Sequence, residues 1–514
     1  MASREFPEWT PLLAELESRR TAALAGGGEA RIAREHRLGR RTARERIADI
    51  VDEGSFLEFG TLVTTPSERG SLPSTFICGL AQIDSRPVAI GAEDFTVEGG
   101  GVGVHLSRIK GSWGGFIEEF ALGYRIPLII LIQGVGGSVH LQEMKGYPEL
   151  VSAMPSYPMF DLLKTVPVIT AVLGPTAGSS AARAAISHFS VMTENNGCLF
   201  AGGPPLVKQA LGVDIDKFQL GGADVQVRAA GLIDNVADSD ADALVQIRKI
   251  LSYLPDNAAE RANVVSPDGW VAPDQSELLS IVSPNGRRAY DAHALIRCLC
   301  DVDSFFEIGG EYGQSLRTGL ARIEGHVVGI LATDNRHLAG ALDALSSQKQ
   351  SRFIDLCNTF HIPLVYLVDI PGFMIGPDSE RSGTMKFATQ ALRAIQQVSV
   401  PVYTIQVRRS FGLGGQATGN TSGVSIRLAW PSGSWGDMPL EGGIESAFRA
   451  QLEAAPPSER AKLRQVFTER FAAQTSIWRT VERFGVEEMI DPRQTRTYLA
   501  RLLPLARRIP LAAG

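Results

Sequence analysis

Residues 52–58 read DEGSFLE, and nearly the same pattern returns at residues 301–307 as DVDSFFE. Three more short segments recur in the same order, and the separation of the copies shrinks slowly from 249 to 234 residues, as small deletions would make it. They are 79–83 (GLAQI) with 319–323 (GLARI), 125–128 (RIPL) with 361–364 (HIPL), and 166–168 (VPV) with 400–402 (VPV). A repeat of so long a period indicates two similar domains rather than a solenoid.

The repeat divides the 514 residues into an N-terminal domain over 1–262 and a C-terminal domain over 263–514. The boundary is expected within 254–288, a stretch rich in Pro, Asn, Asp and Gly with little apolar periodicity. In both copies short β-branched runs, such as LIILI at 128–132, are bounded by glycine or proline turns and separated by helical stretches. Apolar strands that alternate with helices predict an α/β fold with a buried, largely parallel sheet.

Composition excludes several classes of protein. Lys and Arg number 50 against 56 Asp and Glu, a net charge of −6 that argues against a generally basic nucleic-acid binder. No apolar run approaches the ~18 residues of a membrane-spanning helix, and the first residues, MASREFPEW, lack the apolar core of a secretion signal. Five scattered cysteines predict neither a disulfide framework nor a zinc site. We therefore expect a soluble, cytoplasmic protein without a metal.

Glycine-rich turns follow the predicted strands in both halves. QGVGG (133–137) follows the first strand and DIPGF (369–373) follows its repeat, while GPTAGS (174–179) and RSFGLGG (409–415) follow the second pair. Ligands of α/β sheets bind beyond the carboxyl ends of the strands, where glycine lets the backbone approach them closely. Two backbone N–H groups aimed at one point would make an oxyanion hole. The alternative is that these glycines only make tight turns.

Side-chain catalytic motifs are missing from the sequence. There is no G-x-S-x-G elbow, no H-E-x-x-H and no phosphate-binding loop that ends in Gly-Lys-Ser/Thr. His140, just past the glycines at 136–137, is the one histidine that we single out as a functional candidate. Backbone N–H groups that stabilise an enolate or thioester oxyanion need no protein nucleophile, so such chemistry fits these absences.

Five stretches make the sequence similar to the carboxyltransferase (beta) subunits of biotin-dependent acyl-CoA carboxylases, such as propionyl-CoA and methylcrotonyl-CoA carboxylase. They are TARERI with DEGSF (42–47 and 52–56), GPTAG (174–178), AGALD (339–343), FHIPL with DIPGF (360–364 and 369–373), and SFGLG (410–414). The resemblance runs from Arg40 to the C-terminus. It implies an α/β protein of two tandem crotonase-like domains, of the ClpP/crotonase superfamily.

The resemblance also implies a reaction. Acyl-CoA would lie against the N-terminal domain, and carboxybiotin on a separate carrier protein would reach the C-terminal domain of a neighbouring subunit. Carboxybiotin would release CO2, its ureido nitrogen would take the α-proton of the acyl-CoA, and the enolate would attack CO2. The positions that match the family's two oxyanion holes, and hence the catalytic candidates, are Gly178 with Ser179 and Gly412 with Leu413.

The substrate-binding candidates are residues around these turns and one arginine, namely Gly136, Gly137, Ala177, Arg44, Gly372, Phe373 and Gly414. Arg44 lies in residues 31–46, which hold seven arginines and match a family region near CoA. A basic lip suits the phosphates of CoA, whereas the alternative is a solvated helical arm with Arg–Glu pairs. The family works with a biotin carboxylase and a biotin carboxyl carrier and usually forms a hexamer, a trimer of dimers.

Some positions depart from the family. Typical relatives read SGGAR where this chain has VGGSV (135–139), so that Val139 replaces an arginine. Relatives have an Ala-Gly-Gly whose second glycine is replaced here by Ser179. Where relatives have a tract with a glycine-rich turn, this chain has WPSGSWGDM (430–438). The chain lacks the AMKM biotin attachment site and a four-cysteine zinc ribbon. These departures leave the acyl group and the direction open. The alternatives are a decarboxylase or transcarboxylase, a carboxylase of an unusual substrate, and a non-catalytic partner subunit.

Overall fold

The computed structural model describes residues 7–67, 70–100, 115–136, 159–265, 272–420, 423–472 and 475–511. The chain divides into two compact units, Met1–Ala259 and Glu260–Gly514. Each unit carries one large mixed sheet with helices between its strands. The predicted fold class, α/β with two sheet-containing domains, is therefore confirmed.

The strands of the first unit form a mixed sheet with a parallel centre. They are β1 (Leu57–Phe59), β2 (Thr64–Ser67), β3 (Gly70–Pro73), β4 (Phe76–Ile83), β5 (Arg86–Glu93), β6 (Leu128–Ile132), β7 (Val168–Val172), β8 (Pro175–Ala177), β9 (Phe189–Thr193), β10 (Cys198–Phe200) and β11 (Asn235–Ala237). In the described part of this unit the main sheet has the order β1-β4-β5-β6-β7-β9-β11. Strands β1, β4 and β5 pair antiparallel, and each later neighbour pairs in parallel. The antiparallel β2–β3 and the parallel β8–β10 form separate small sheets.

The second unit repeats this topology. Its strands are β12 (Phe306–Glu307), β13 (Leu316–Ile323), β14 (His326–Thr333), β15 (Leu364–Ile370), β16 (Val402–Phe411), β17 (Ser425–Ala429), β18 (Ser434–Gly436) and β19 (Glu488–Met489). They run in the order β12-β13-β14-β15-β16-β17-β19, and β18 pairs with the far end of β16. Strands β12, β13 and β14 pair antiparallel, and the later neighbours pair in parallel. The sequence repeat is thus a repeat of sheet order and strand direction.

Helices connect the strands and cover the sheets. In the first unit they are Thr10–Leu24, Glu29–Arg37, Ala43–Ile50, Phe116–Tyr124, Met159–Thr165, Ser179–Ile186, Pro204–Leu211, Lys217–Gly221 and Asp240–Leu251, with a 3-10 turn at Glu98–Gly100 and a π-helical turn at Asp224–Ala229. In the second they are Glu277–Ile281, Ala292–Leu299, Ala344–Thr359, Pro377–Arg381, Thr384–Gln396, Gly412–Gln416, Leu440–Ala447, Arg449–Ala454, Pro457–Ala472, Trp478–Val481 and Thr495–Ala506, with 3-10 turns at Leu338–Gly340 and Pro492–Gln494. No helix in the described ranges is long and apolar enough to cross a membrane.

The repeated segment DEGSFLE has a direct packing reason. Phe56 lies over Gly79 of β4, and a Cβ at Gly79 would come within 2.7 Å of the Phe56 ring. In the second unit Phe305 lies over Gly319 of β13, where a Cβ would come within 2.6 Å of that ring. A ring can pack so closely on a strand only where the strand has no side chain. Each phenylalanine and glycine pair is therefore one contact, made once in each unit.

The aspartate that begins the repeated segment caps a hairpin. The Asp52 carboxylate accepts hydrogen bonds from the amides of Asp84 and Ser85, at 3.0 and 2.7 Å, in the turn between β4 and β5. Asp301 accepts in the same way from Glu324 and Gly325 between β13 and β14. Because the carboxylate satisfies two turn amides at once, it fixes the register of the hairpin.

The cores lie along the parallel strands. Every residue of β6, β7 and β15 is buried, as expected for parallel strands that helices cover on both faces. The chain leaves this buried layer at the carboxyl ends of the strands, where the glycine turns begin.

Candidate functional site

Two glycine turns lie against each other in the first unit. One follows β6 and includes Gly136 (φ +78°), and the other follows β8 and includes Gly178 (φ +66°). A Cβ at Gly136 would lie 3.0 Å from the Ala177 carbonyl oxygen and 3.7 Å from the Gly178 Cα. The Ala177 amide also donates to the Gly134 carbonyl at 2.9 Å. The structure thus brings Gly136, Ala177 and Gly178 together at one edge of the sheet.

Gly178 has a backbone conformation that requires glycine. Its φ of 66° and ψ of −128° place it where an L side chain is strongly disfavoured. It is the N-cap of helix Ser179–Ile186, and its own surface is exposed. The first amides of a helix have no intrahelical acceptor, so the amides at Gly178 and Ser179 are suited to hold an oxygen that carries negative charge.

A network of buried polar side chains lies next to the two glycine turns, at the carboxyl ends of β6 and β7. The Gln133 side chain accepts from the Arg46 guanidinium and donates to Glu35 at 2.8 Å. Arg46 also donates to Asp240 at 2.8 Å and to the Leu173 carbonyl at 3.0 Å. Its side chain is 1% exposed. Arg46 therefore joins the ends of β6 and β7 and stabilises the positions from which both turns start.

The arginine-rich segment 31–46 is largely occupied by internal ion pairs. Arg40 is buried and donates two hydrogen bonds to Glu35, at 2.7 and 2.8 Å. Arg44 donates to both carboxylate oxygens of Glu58, at 2.7 and 3.0 Å, and keeps 29% of its side chain exposed. These contacts agree with the Arg–Glu pairs of the alternative interpretation, but Arg40 and Arg46 are buried, so the segment is not a solvated arm throughout. The assignment of Arg44 to CoA stays a prediction.

The second unit has an equivalent pair of turns. Gly372 (φ +135°) follows β15, and Gly412 (φ +58°) follows β16. A Cβ at Gly414 would lie 2.9 Å from both the Cα and the carbonyl carbon of Gly372. The turn after β15 is held further by the parallel bridge between Phe373 and Leu342. The candidates Gly372, Phe373, Gly412 and Gly414 thus lie together, with Leu413 inside the same turn.

A buried carboxylate anchors this second pair of turns. Asp369 accepts from Arg408 at 2.6 and 3.0 Å, from Arg409 at 2.7 Å and from Asn335 at 3.1 Å. Burial alone would raise the pKa of Asp369, but the hydrogen bonds and charges of Arg409 and Arg408 hold this pKa below its usual range. Arg409 also donates to the Ala339 carbonyl at 2.8 Å. Asp369 is ionised and fixes the start of the turn at Gly372.

The atypical tract 430–438 forms one wall of the second pair of turns. Strand β18 within this tract pairs with the end of β16 at Phe411. A Cβ at Gly412 would lie 3.0 Å from the Asp437 carbonyl oxygen. Trp430 is buried and donates its indole N–H to Thr495 at 2.9 Å. The tract 430–438, which differs from the family, therefore lies next to Gly412, in the turn that we predict to bind carboxybiotin.

The candidates divide between two separate units. All the catalytic and substrate-binding candidates are described except Gly137, which lies outside the described residues together with Val139 and His140. Sequence reasoning missed the buried side chains that hold the turns, Arg46 and Asp369. Only the match of Gln133 with Asp369 across the repeat could have suggested that these strand ends carry polar anchors. In the described part of the chain no group of three or more His, Cys, Asp or Glu residues could hold a metal ion.

Comparison with known proteins gives one family. The model of the carboxyl transferase domain matches residues 34–511. The chain is 32% identical to a propionyl-CoA carboxylase carboxyltransferase subunit of Haloferax mediterranei, with 94% of each chain covered. It is 31% identical to the methylmalonyl-CoA carboxyltransferase 12S subunit of Propionibacterium freudenreichii subsp. shermanii, over 96% of this chain and 93% of that one. It is also 30% identical to the alpha subunit of a methylmalonyl-CoA decarboxylase of Veillonella parvula, over 94% and 93%.

The fold agrees with a solved structure of that family. The crystal structure of a transcarboxylase 12S hexamer with methylmalonyl-CoA bound superposes with a TM-score of 0.85 at 29% identity, and 100% of this chain and 98% of that one are covered. The two crotonase-like domains that the sequence resemblance implied are thus those of a carboxyltransferase.

Proposed function

Because this chain belongs to the carboxyl transferase family of biotin-dependent acyl-CoA carboxylases and transcarboxylases, it is an enzyme, and we propose that it moves a carboxyl group between carboxybiotin and an acyl-CoA. Carboxybiotin is carried on a separate protein. The accepting atom is the α-carbon of the acyl group, or the γ-carbon of an unsaturated one. The observation that carries the proposal is the repeated pair of glycine turns at the carboxyl ends of the parallel strands, once in each unit.

The first unit is assigned to the acyl-CoA. The amides of Gly178 and Ser179 would donate to the thioester oxygen as it becomes an enolate oxygen. In mutational data each such donor lowers the barrier by roughly 3–4 kcal/mol. Gly136 and Ala177 line the same edge, and the absence of a side chain at Gly136 lets the two turns meet. Because the donors are backbone groups, serine in place of the family's glycine at Ser179 leaves the donor unchanged.

The second unit is assigned to biotin, and its residues suit that group. A Cβ at Gly414 would lie 2.9 Å from Gly372, so the two turns meet only because residue 414 has no side chain. The amides of Gly412 and Leu413 would donate to the ureido oxygen, and Phe373 and Gly414 would line the approach. Carboxybiotin held there would supply CO2 and, at its ureido nitrogen, a base for the α-proton.

The direction of the reaction is a second question, and the relatives keep both directions open. A carboxylase subunit, a transcarboxylase subunit and a decarboxylase subunit match this chain at 30–32% identity. A decarboxylase would use the same turns in reverse, since the enolate is the shared intermediate of both directions. We therefore retain decarboxylation or transcarboxylation as the alternative function.

The assembly and partners are proposed from the same family. We infer a homohexamer, a trimer of dimers, from the transcarboxylase 12S hexamer. The partners would be a biotin carboxylase and a biotin carboxyl carrier. The acyl-CoA and carboxybiotin roles of the domains 1–262 and 263–514, and a cytoplasmic location, remain predictions.

A carbon dioxide fixation assay tests the function. The protein, a biotin carboxylase and a biotinylated carrier are incubated with ATP and radiolabelled bicarbonate, with acetyl-, propionyl-, butyryl- and methylcrotonyl-CoA in parallel. We expect acid-stable label in one acyl-CoA, dependent on both partners. A parallel reaction without ATP, with methylmalonyl-CoA and a carrier that is biotinylated but not carboxylated, measures the reverse direction. Carboxyl transfer in neither reaction, from a folded oligomer, would refute transfer with these acyl-CoAs and favour the alternative of an unusual substrate.

A further inference from the structure

A buried glutamate lies between the two glycine turns of the first unit. Glu93 is the last residue of β5, and 4% of it is exposed. One carboxyl oxygen, Oε2, accepts a hydrogen bond from the Gln133 amide at 2.9 Å. The other, Oε1, accepts from the Ser180 hydroxyl. A single side chain thus joins the end of β6 to the first turn of helix Ser179–Ile186.

These contacts reach the residues next to the catalytic candidates. Gln133 precedes the turn Gly134–Gly136, and a Cβ at Gly134 would lie 2.7 Å from Glu93 Oε2, so the carboxyl group packs directly against that turn. Ser180 is two residues after Gly178. A change at Glu93 would therefore move both turns relative to each other, although Glu93 itself does not reach the exposed edge.

The repeat shows which part of this arrangement is particular to the first unit. Thr333 corresponds to Glu93, and its hydroxyl accepts from the Asp369 amide at 2.7 Å, as Glu93 accepts from Gln133. The position that corresponds to Ser180 is Gly414, which has no side chain to make the second contact. Among the described residues, Glu93 and Ser180 form this side-chain bridge in the first unit, and the corresponding pair in the second unit, Thr333 and Gly414, does not.

The charge state of Glu93 suggests what can replace it. Burial raises the pKa of Glu93, and the Ser180 hydrogen bond, the Arg183 charge and the Gln133 amide oppose this only in part. In the structure the Ser180 hydroxyl donates to Glu93 Oε1; once Glu93 is protonated, its O–H donates to the Ser180 oxygen instead, while the other carboxyl oxygen still accepts from the Gln133 amide. A glutamine side chain offers the same pattern, with an acceptor oxygen and an N–H donor.

We propose that Glu93 is a positioning residue that aligns the Gly178 and Ser179 amides by tying the Gln133 amide to the Ser180 hydroxyl. The inference rests on the proposed function of these amides. In this proposal Glu93 sets the orientation of the Gly178 and Ser179 amides. Their orientation matters most for the enolate, because both amides must point at the oxygen on which the negative charge develops. The binding of the CoA portion depends on other contacts and is affected little.

Kinetics of three variants test this role. Glu93→Met keeps the length of the side chain but removes both contacts, and we expect kcat to fall by about 10–100-fold with KM for acyl-CoA within about threefold of wild type. Glu93→Gln keeps the hydrogen-bond pattern, so we expect its kcat within about threefold of wild type. Ser180→Ala removes one contact at little change in volume and should lower kcat by about tenfold.

The matched control is Asp234→Asn. Asp234 is also buried in the first unit, and it also accepts from one amide and one serine hydroxyl, those of Ser190, at 2.8 and 3.1 Å. These contacts join β9 to the segment before β11. We expect Asp234→Asn to lower the melting temperature without the loss of kcat. Full kcat in Glu93→Met, or an equal loss in Glu93→Gln and Glu93→Met, would overturn the proposal.

A binding measurement separates this inference from the proposed function. The first ligand is a nitroalkyl CoA analogue, whose nitronate anion mimics the enolate, and the second is the corresponding uncharged thioether. We expect the wild-type protein to prefer the nitronate and Glu93→Met to lose about tenfold or more of that preference, while thioether binding is kept. A wild-type protein that binds both equally would refute the oxyanion hole itself. A wild-type preference that persists undiminished in Glu93→Met would refute only the role of Glu93.

Discussion

Replacement of Gly178 by alanine tests the backbone donors of the first unit. At φ 66° and ψ −128° the residue lies in a region that L-amino acids avoid. A Cβ there would be 3.7 Å from the Gly136 Cα, which is ordinary contact. The effect of Gly178→Ala is therefore one of backbone conformation and not of steric overlap.

The structure sets the size of the expected effect. Holding alanine in this conformation costs about 1–3 kcal/mol, and rotation of the peptide between residues 178 and 179 relieves the strain. That rotation turns the Ser179 amide away from the edge of the sheet. Loss of one oxyanion donor lowers kcat by about 10²–10³-fold, so we expect a loss of that order in carboxyl transfer at saturating acyl-CoA and carrier.

Gly212→Ala is the control for this measurement. Gly212 also has a positive φ, 70°, with ψ 8°, and a Cβ there would meet nothing within 4 Å. It ends helix Pro204–Leu211 and belongs to neither glycine turn. Its replacement costs about 1–2 kcal/mol of stability, which lowers Tm by about 2–8 °C in a unit of this size. We expect normal kcat from this variant.

The comparison of kcat between the two variants can refute the reasoning. If Gly178→Ala, confirmed as folded, carboxylates acyl-CoA at the wild-type rate, the amides of this turn do not stabilise the enolate. If Gly212→Ala loses activity as strongly as Gly178→Ala, the loss reflects stability alone.

Three further predictions concern the buried contacts around the turns. Gly414→Ala places a Cβ 2.9 Å from Gly372, so we expect kcat to fall by about 10–100-fold. The control is Gly442→Ala, where a Cβ meets nothing within 4 Å, and it should leave activity unchanged in the same assay. Asp369→Asn should lower the free energy of unfolding by about 3–5 kcal/mol because two arginines lose their carboxylate. Since the pKa of Asp369 is lowered on folding, denaturant titrations should show this difference shrinking as the pH falls below about 4, and a constant difference would contradict the assignment. The pKa of Glu93 is raised on folding, so wild type loses stability as the pH rises above about 4.3. Glu93→Gln should therefore gain stability relative to wild type with rising pH, and a gap independent of pH in the same titrations would argue against a raised pKa of Glu93.

The two-domain organisation was readable because its signals are local and repeated. The phenylalanine and glycine of each copy, Phe56 with Gly79 and Phe305 with Gly319, recur as pairs, since the same ring must pack on the same bare strand in each unit. The strand ends were readable because apolar runs end in glycines. The glycine turns then followed from the rule that ligands of α/β sheets lie at the carboxyl ends of the strands.

The arginine-rich segment could not be interpreted from sequence. The positions of Arg40, Arg44 and Arg46 in the sequence do not show whether each side chain faces solvent or pairs with a carboxylate. The partners of Arg46 are Asp240, 194 residues away, and Gln133, 87 residues away. Sequence spacing contains no information on such partners, so a CoA contact and an internal ion pair were equally compatible with it.

The sequence by itself determined the class of fold, the repeat, the family and the positions of the glycine turns, because each depends on patterns within a few residues of the chain. Only the tertiary structure decided what holds the turns in place. Glu93 and Ser180 are 87 residues apart and meet because β5 ends beside the start of a helix. The physical reason is that a buried carboxyl group must find its hydrogen-bond partners wherever the packed sheet places them, and the packing of the whole unit sets those places.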